Sequence, residues 1–199
     1  AREEIKLNDN GIASASALGI ENMATHGVQG RGIMVNLCSH FGETPRKEVG
    51  YADLMRVMAV DGVVVEPGDI LCLWTGLDRV IMRMQGQPNH SVHDLCAVLD
   101  GHDKRLLEWV RESGVAAIVS DNVAVEAIRK PLPKGYTGSN LPLHELCLFK
   151  LGIHLGELWL LADLAEWLRA HGRYRFLLTA PPLRLSGAVG SPVTPIATV

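Results

Sequence analysis

Hydrolysis assisted by a metal ion requires carboxylates and imidazoles that converge on one point while a coordination position stays open for water. Three places in this sequence offer such groups at the ends of elements. Asp121 stands directly after the apolar run Val115-Ala116-Ala117-Ile118-Val119, with Ser120 before it and Asn122 after it. That is the carboxyl end of a strand, where α/β folds open their ligand crevice. His144 and Glu145 open a helix straight after a loop rich in Pro and Gly, and Glu157 arrives once that helix has turned back. A helix followed by a returning strand would bring His144 and Glu157 together. Spacing by itself leaves a plain alternative standing, because His and Glu also occupy helix starts for solvation and for the helix dipole.

The other candidates read as structural. His90 and His93 border a loop and have no third ligand nearby, which suits exposed residues at a helix entry. His40, in Cys38-Ser39-His40, suggests a nucleophile and base, yet adjacent residues on a strand point to opposite faces. His26, His102 and His171 border glycines and fit helix termini. The run Gly27-Val28-Gln29-Gly30-Arg31-Gly32 does not follow a strand and lacks dinucleotide-loop spacing, so it reads as a turn into a strand. Trp159 and Trp167 share a helical face if both are helical, which favours core packing. Trp74, at a strand end, is either a core residue or an apolar wall of a small-molecule pocket. Cys38, Cys72, Cys96 and Cys147 lie far apart without metal-site spacing and read as buried reduced thiols.

The elements that must position these groups alternate between the two classes. Helices are expected over 12–23, 51–58, 92–99, 104–113, 143–151 and 161–170, where apolar residues recur at helical spacing. Strands are expected over 32–37, 70–75, 115–119, 153–157 and 173–179; the first is nearly all apolar, as a strand covered on both faces requires. Residues 129–142 hold Pro131, Pro133, Gly135, Gly138 and Pro142, a density that reads as a long surface or lid loop. The tail from Ala180 is interrupted by Pro181, Pro182, Pro192 and Pro195 and should wrap the surface or form a broken edge strand. A mixed α/β fold follows.

Composition bounds the function classes. The 199 residues are 47% hydrophobic and 21% charged, which is ordinary globular usage with enough chain for a real core. The net charge of -3, without a cluster of Lys and Arg, argues against nucleic acid as a partner. No apolar stretch approaches the roughly 20 residues that span a bilayer, and the charged start Ala1-Arg2-Glu3-Glu4 does not read as a signal peptide. No membrane partner and a cytoplasmic location are therefore expected.

Six stretches, taken together, resemble the cyclase family, which contains the bacterial kynurenine formamidases and the isatin hydrolases. They are Arg31-Gly32-Ile33-Met34-Val35-Asn36, Pro67-Gly68-Asp69-Ile70 with Thr75-Gly76, Ser120-Asp121-Asn122, Pro142-Leu143-His144-Glu145-Leu146, Gly156-Glu157-Leu158-Trp159, and Ala180-Pro181-Pro182-Leu183-Arg184 with Gly187-Ala188-Val189-Gly190-Ser191-Pro192. Their order also agrees, from about residue 20 to the C-terminus.

The resemblance implies one cyclase-like domain over 1–199 with a swivelling β/β/α mixed-sheet fold, assembled as a homodimer or homotetramer. It implies hydrolysis of a small-molecule amide, an aryl formamide or cyclic amide, using zinc or manganese. By similarity His144 and Glu157 are metal ligands and His144 belongs to the catalytic machinery. Ser120, Asp121, Glu145 and Trp74 would stand behind the ligands or against the substrate. The family's N-terminal His-x-Gly-Thr-His-x-Asp signature, which supplies most of its metal ligands, does not occur in these residues, and Asn36 stands where members often carry Asp. Two expectations follow: an upstream stretch or another chain supplies the missing ligands, or the chain is a metal-free relative that binds a small molecule or forms oligomers.

Overall fold

The fold is described from a computed structural model, for residues 6–7, 13–15, 17–87, 89–129, 135 and 137–199. In chain order the elements are β1 (Lys6–Leu7), β2 (Ala13–Ser14), α1 (Ile20–His26), β3 (Gln29–Asn36), α2 (Leu37–Phe41), β4 (Lys47–Val49) and α3 (Tyr51–Asp61). Then come β5 (Ile70–Trp74), α4 (Leu77–Arg83), a 3₁₀ turn (His90–Asp94), β6 (Ala97–Leu99), α5 (Lys104–Ser113) and β7 (Ala117–Ser120). The chain ends with α6 (Pro142–His144) running into a π-helical segment (Glu145–Leu151), β8 (His154–Gly156), α7 (Ala162–Ala170), β9 (Arg175–Thr179) and β10 (Ile196–Thr198). The contacts fall into two compact units, one of residues 1–31 with 176–199 and a larger one of Gly32–Arg175. The expected α/β class holds.

In the larger unit β3, β5, β7 and β8 form parallel neighbours in that order, with Val35 opposite Leu73, Leu73 opposite Ser120 and Val119 opposite Gly156. Every residue of β5 and β7, the inner strands of this run, is buried, as their near-continuous apolar sequence requires, whereas β8 at its edge is only partly covered. The core gathers Ile33, Leu54, Leu71, Leu106, Ile118 and Leu143, all fully buried. Parallel strands point their carboxyl ends the same way, so Thr75, Asp121 and Glu157 leave the sheet on one edge. In the smaller unit β1 pairs with β2 and β9 with β10, both antiparallel.

Several expectations are corrected. A helix over 12–23 does not form: Ala13–Ser14 is a strand, and α1 begins only at Ile20, after Gly19. An α-helix over 92–99 does not form either: the 3₁₀ helix ends at Asp94 and gives way to β6, which pairs in parallel with β4. Cross-strand pairing of the buried run Ala97-Val98-Leu99 outweighs the local helical spacing. β3 stops at Asn36, whose side chain accepts the N–H of Ser39 and starts α2 there. Cys38 and His40 therefore lie on a helix, and His40 pairs with Asp61 at 2.9 Å. His102 precedes α5 rather than ending a helix, whereas His26 and His171 do close α1 and α7. Cys72, Cys96 and Cys147 are buried free thiols, while Cys38 is half-buried. Part of the Pro/Gly-rich loop, including Pro131 and Pro133, lies outside the described residues. Among the described residues no helix is long and apolar enough to cross a membrane.

Candidate functional site

His144 and Glu157 meet. His144 Nε2 stands 3.1 Å from Glu157 Oε1, and Nδ1 of the same ring stands 2.7 Å from Oε1 of Glu126. Glu126 is fully buried, while the His144 and Glu157 side chains are 22% and 31% exposed, so the pair faces outward from a sealed base. His144 ends α6, just before the helix widens into its π segment, a departure common at functional sites. Glu157 directly follows β8, and its Oε1 also accepts the Val125 N–H at 3.1 Å.

The chain bends sharply after Glu157. Leu158 adopts φ 57°, a left-handed conformation that costs a non-glycine residue about 1 kcal/mol or more. The bend is held by Leu158 N–H donating to Asn122 O and Trp159 N–H donating to Ser120 O, at 3.0 and 3.2 Å. Gly156 makes room for Trp159: a Cβ there would lie 3.0 Å from the indole. Trp159 lies outside the helix that carries Trp167, and both are half-buried, so the shared helical core face does not exist. Trp167 instead stacks on His171, with 3.9 Å between centroids.

Glu126 was not anticipated from the sequence. It sits in an extended segment clamped to β6, with Leu99 N–H donating to Val125 O and Ala127 N–H donating to Leu99 O. Reading 92–99 as a helix hides the strand that holds it. One signal was available, a single acid in the otherwise apolar run Val123-Ala124-Val125-Glu126-Ala127-Ile128. A buried charge in such a run demands partners.

The electrostatics follow from this geometry. Burial of the His144 ring opposes its charged form, but hydrogen bonds to Glu126 and Glu157 outweigh that and push it up to about 9. Without another cation present, His144 is an imidazolium between two carboxylates at neutral pH.

Asp121 serves a different end. Its Oδ1 accepts the N–H and the hydroxyl of Thr75, both at 2.8 Å, and its Oδ2 accepts the N–H groups of Gly76 and Asp78 at 2.8 and 3.2 Å. Burial pushes the carboxyl up to about 6 while the Thr75 donors pull it down. Asp121 thus shapes the turn after β5. Ser120 is buried beside it and accepts the Asn122 N–H at 3.1 Å. Trp74 is buried, donates its indole N–H to Asp78 Oδ1 at 3.1 Å and lies under the Arg79 guanidinium. Glu145 points along its helix to Lys150 Nζ at 2.6 Å. None of these four makes a hydrogen bond or ion pair with His144 or Glu157.

The comparisons accord with this architecture. The family model described as a putative cyclase matches residues 10–127, more than half of the chain. The chain belongs to the cyclase family. The matched stretch contains Trp74, Asp121 and Glu126, while His144 and Glu157 follow it. A solved structure described as a novel cyclase is 30% identical, with a TM-score of 0.76 over 97% of this chain and 60% of its own. Isatin hydrolase A from Ralstonia solanacearum shares the fold at 15% identity and TM-score 0.66, over 91% of this chain and 64% of its own. A potential metal-dependent hydrolase with cyclase activity shares it at 14% identity and TM-score 0.56, over 96% and 72%. This cyclase-family chain thus spans less than two thirds of the first two structures. No curated protein matches it.

The donor set offers two corners of a metal site. Both oxygens of Glu126 are turned to N–H groups, which leaves His144 Nε2 and Glu157 as the outward donors. Among the described residues no group of three or more His, Cys, Asp or Glu side chains is arranged to hold a metal ion.

Proposed function

We propose that this chain contributes to a hydrolase that cleaves the C–N bond of an aryl formamide or cyclic amide, with His144 and Glu157 as two ligands of a divalent ion, zinc or manganese. The observation that carries the reading is the 3.1 Å between His144 Nε2 and Glu157 Oε1. Two donors each about 2 Å from one ion stand about 3 Å apart, so the pair already has the separation of neighbouring ligands. Descriptions of the structural relatives as an isatin hydrolase and a potential metal-dependent hydrolase support the reaction class. When bound, such an ion supplies Lewis acidity toward an amide carbonyl. The residues of this chain supply placement: Glu126 backs the imidazole, and the Val125 N–H fixes the Glu157 carboxylate. Two donors do not complete a coordination shell, so the reading calls for further His or Asp donors from outside the described residues or from another chain.

A second reading is favoured by one observation. Each ring nitrogen of His144 already faces a carboxylate, an arrangement that neutralises the imidazolium without a metal. On that reading the chain is a metal-free relative that binds a small molecule or assembles with copies of itself.

Metal content of the purified chain, measured by plasma mass spectrometry for the wild type and for His144→Ala, separates the two. Near-stoichiometric zinc or manganese that disappears in the variant, together with hydrolysis of an aryl formamide or a cyclic aryl amide, supports the hydrolase. A folded, metal-free wild type that hydrolyses neither sinks it.

A further inference from the structure

We infer that Glu126 is the positioning residue of this site: its buried carboxylate holds the proton on His144 Nδ1 and thereby commits Nε2 to Glu157 and to whatever binds beside it. This deepens the reading above and rests on it for the metal, though not for the proton.

The geometry is specific to the ring. Oε1 of Glu126 takes both the backbone N–H of His144, at 2.8 Å, and its Nδ1, at 2.7 Å, while Oε2 takes the Leu143 N–H at 3.0 Å. Because one oxygen grips the backbone and the ring of the same residue, it sets the imidazole's orientation as well as the start of α6. A ring nitrogen that donates to a carboxylate keeps its proton, and the other nitrogen is then left as the ligand.

The fold also makes room for this carboxylate. Gly101 is buried against it, and a Cβ at that position would lie 1.6 Å from Glu126 Oε2. A neutral acceptor would serve two backbone N–H groups. The charge and the third bond are directed at the ring.

The test uses the full chain labelled with nitrogen-15 in histidine. A ring N–H donating to a buried carboxylate gives a downfield, slowly exchanging proton resonance, expected here on Nδ1 and recognised by its loss in His144→Gln. In Glu126→Gln the resonance is expected to vanish while the chain stays folded. Cobalt(II) affinity, read by visible absorption, is expected to fall about 10- to 100-fold. A resonance that persists in Glu126→Gln, or an unchanged cobalt affinity, overturns the inference; a purely structural Glu126 would shift only the unfolding midpoint. A wild type that binds no cobalt overturns the metal reading alone, and the Nδ1 proton then decides the role of Glu126 by itself. Should Glu126→Gln not fold, Glu126→Asp keeps the charge and shortens the reach. A displaced or lost resonance there supports the inference, and an unaltered one overturns it.

Discussion

Glu157 Oε1 accepts the N–H of Val125 at the same 3.1 Å that separates it from His144 Nε2. Since Val125 adjoins Glu126, which holds the far side of the ring, the imidazole is clasped from both sides by one short stretch of chain and the residue after β8. The clasp makes the site sensitive to proton binding, to small losses of space and to the supports beneath it.

The first consequence is a pH dependence. His144 is raised from an ordinary 6.5 to about 9 in the folded chain, so the folded state binds its proton more tightly than the unfolded one. The stabilisation is complete below about pH 6.5 and is lost as the pH rises through about 9. Urea unfolding of the metal-free chain across that window should show a falling midpoint that is flatter in His144→Gln. Equal slopes in the two proteins would remove His144 as the cause.

Gly101→Ala should destabilise the protein by about 1–3 kcal/mol, because the added methyl group meets the buried Glu126 carboxylate rather than open space. Denaturant titration measures it. A variant as stable as the wild type would mean that Glu126 has room to move.

Asp121→Asn should cost about 2 kcal/mol, since an amide nitrogen cannot accept from the N–H groups of Gly76 and Asp78. Trp74 lies at the start of that turn, so its fluorescence should report loosening before global unfolding. Fluorescence and far-ultraviolet transitions that coincide, with no loss of stability, would contradict this account.

Asp103 caps two helices at once. Its Oδ1 accepts from Arg105 N–H at the start of α5, and its Oδ2 accepts from Tyr51 N–H at the start of α3. Burial works to raise its carboxyl, but the backbone donors of Tyr51, Arg105 and Leu106 prevail and hold it below the ordinary range. Its contribution is therefore present above that range and is lost as the pH falls. Asp103→Ala should cost about 2 kcal/mol near neutrality and progressively less in acid. A deficit that does not shrink at low pH would show that the charge is not what caps.

Much of this fold was legible in the chain, and the failures have one physical origin. β5 and β7 read correctly because a strand covered on both faces is apolar throughout, and α5 because its apolar stripe ends at Gly114 with φ 71°. β6 did not, because Ala97-Val98-Leu99 becomes a strand only through pairing with Lys47-Glu48-Val49, a partner remote in sequence. Leu37 looked like more strand because it is apolar, yet the Asn36 side chain turns the chain into a helix there.

The candidate site divides the same way. Residue types and their order were enough to select His144 and Glu157 and to point to the cyclase family, because those depend on chemistry written along the chain. The role of Asp121 in tying down a turn and the existence of Glu126 as a partner of His144 were decided by tertiary structure alone. A carboxylate gains its function from the donors that reach it, and those donors come from segments that the sequence keeps far apart and only the folded chain brings within hydrogen-bonding distance.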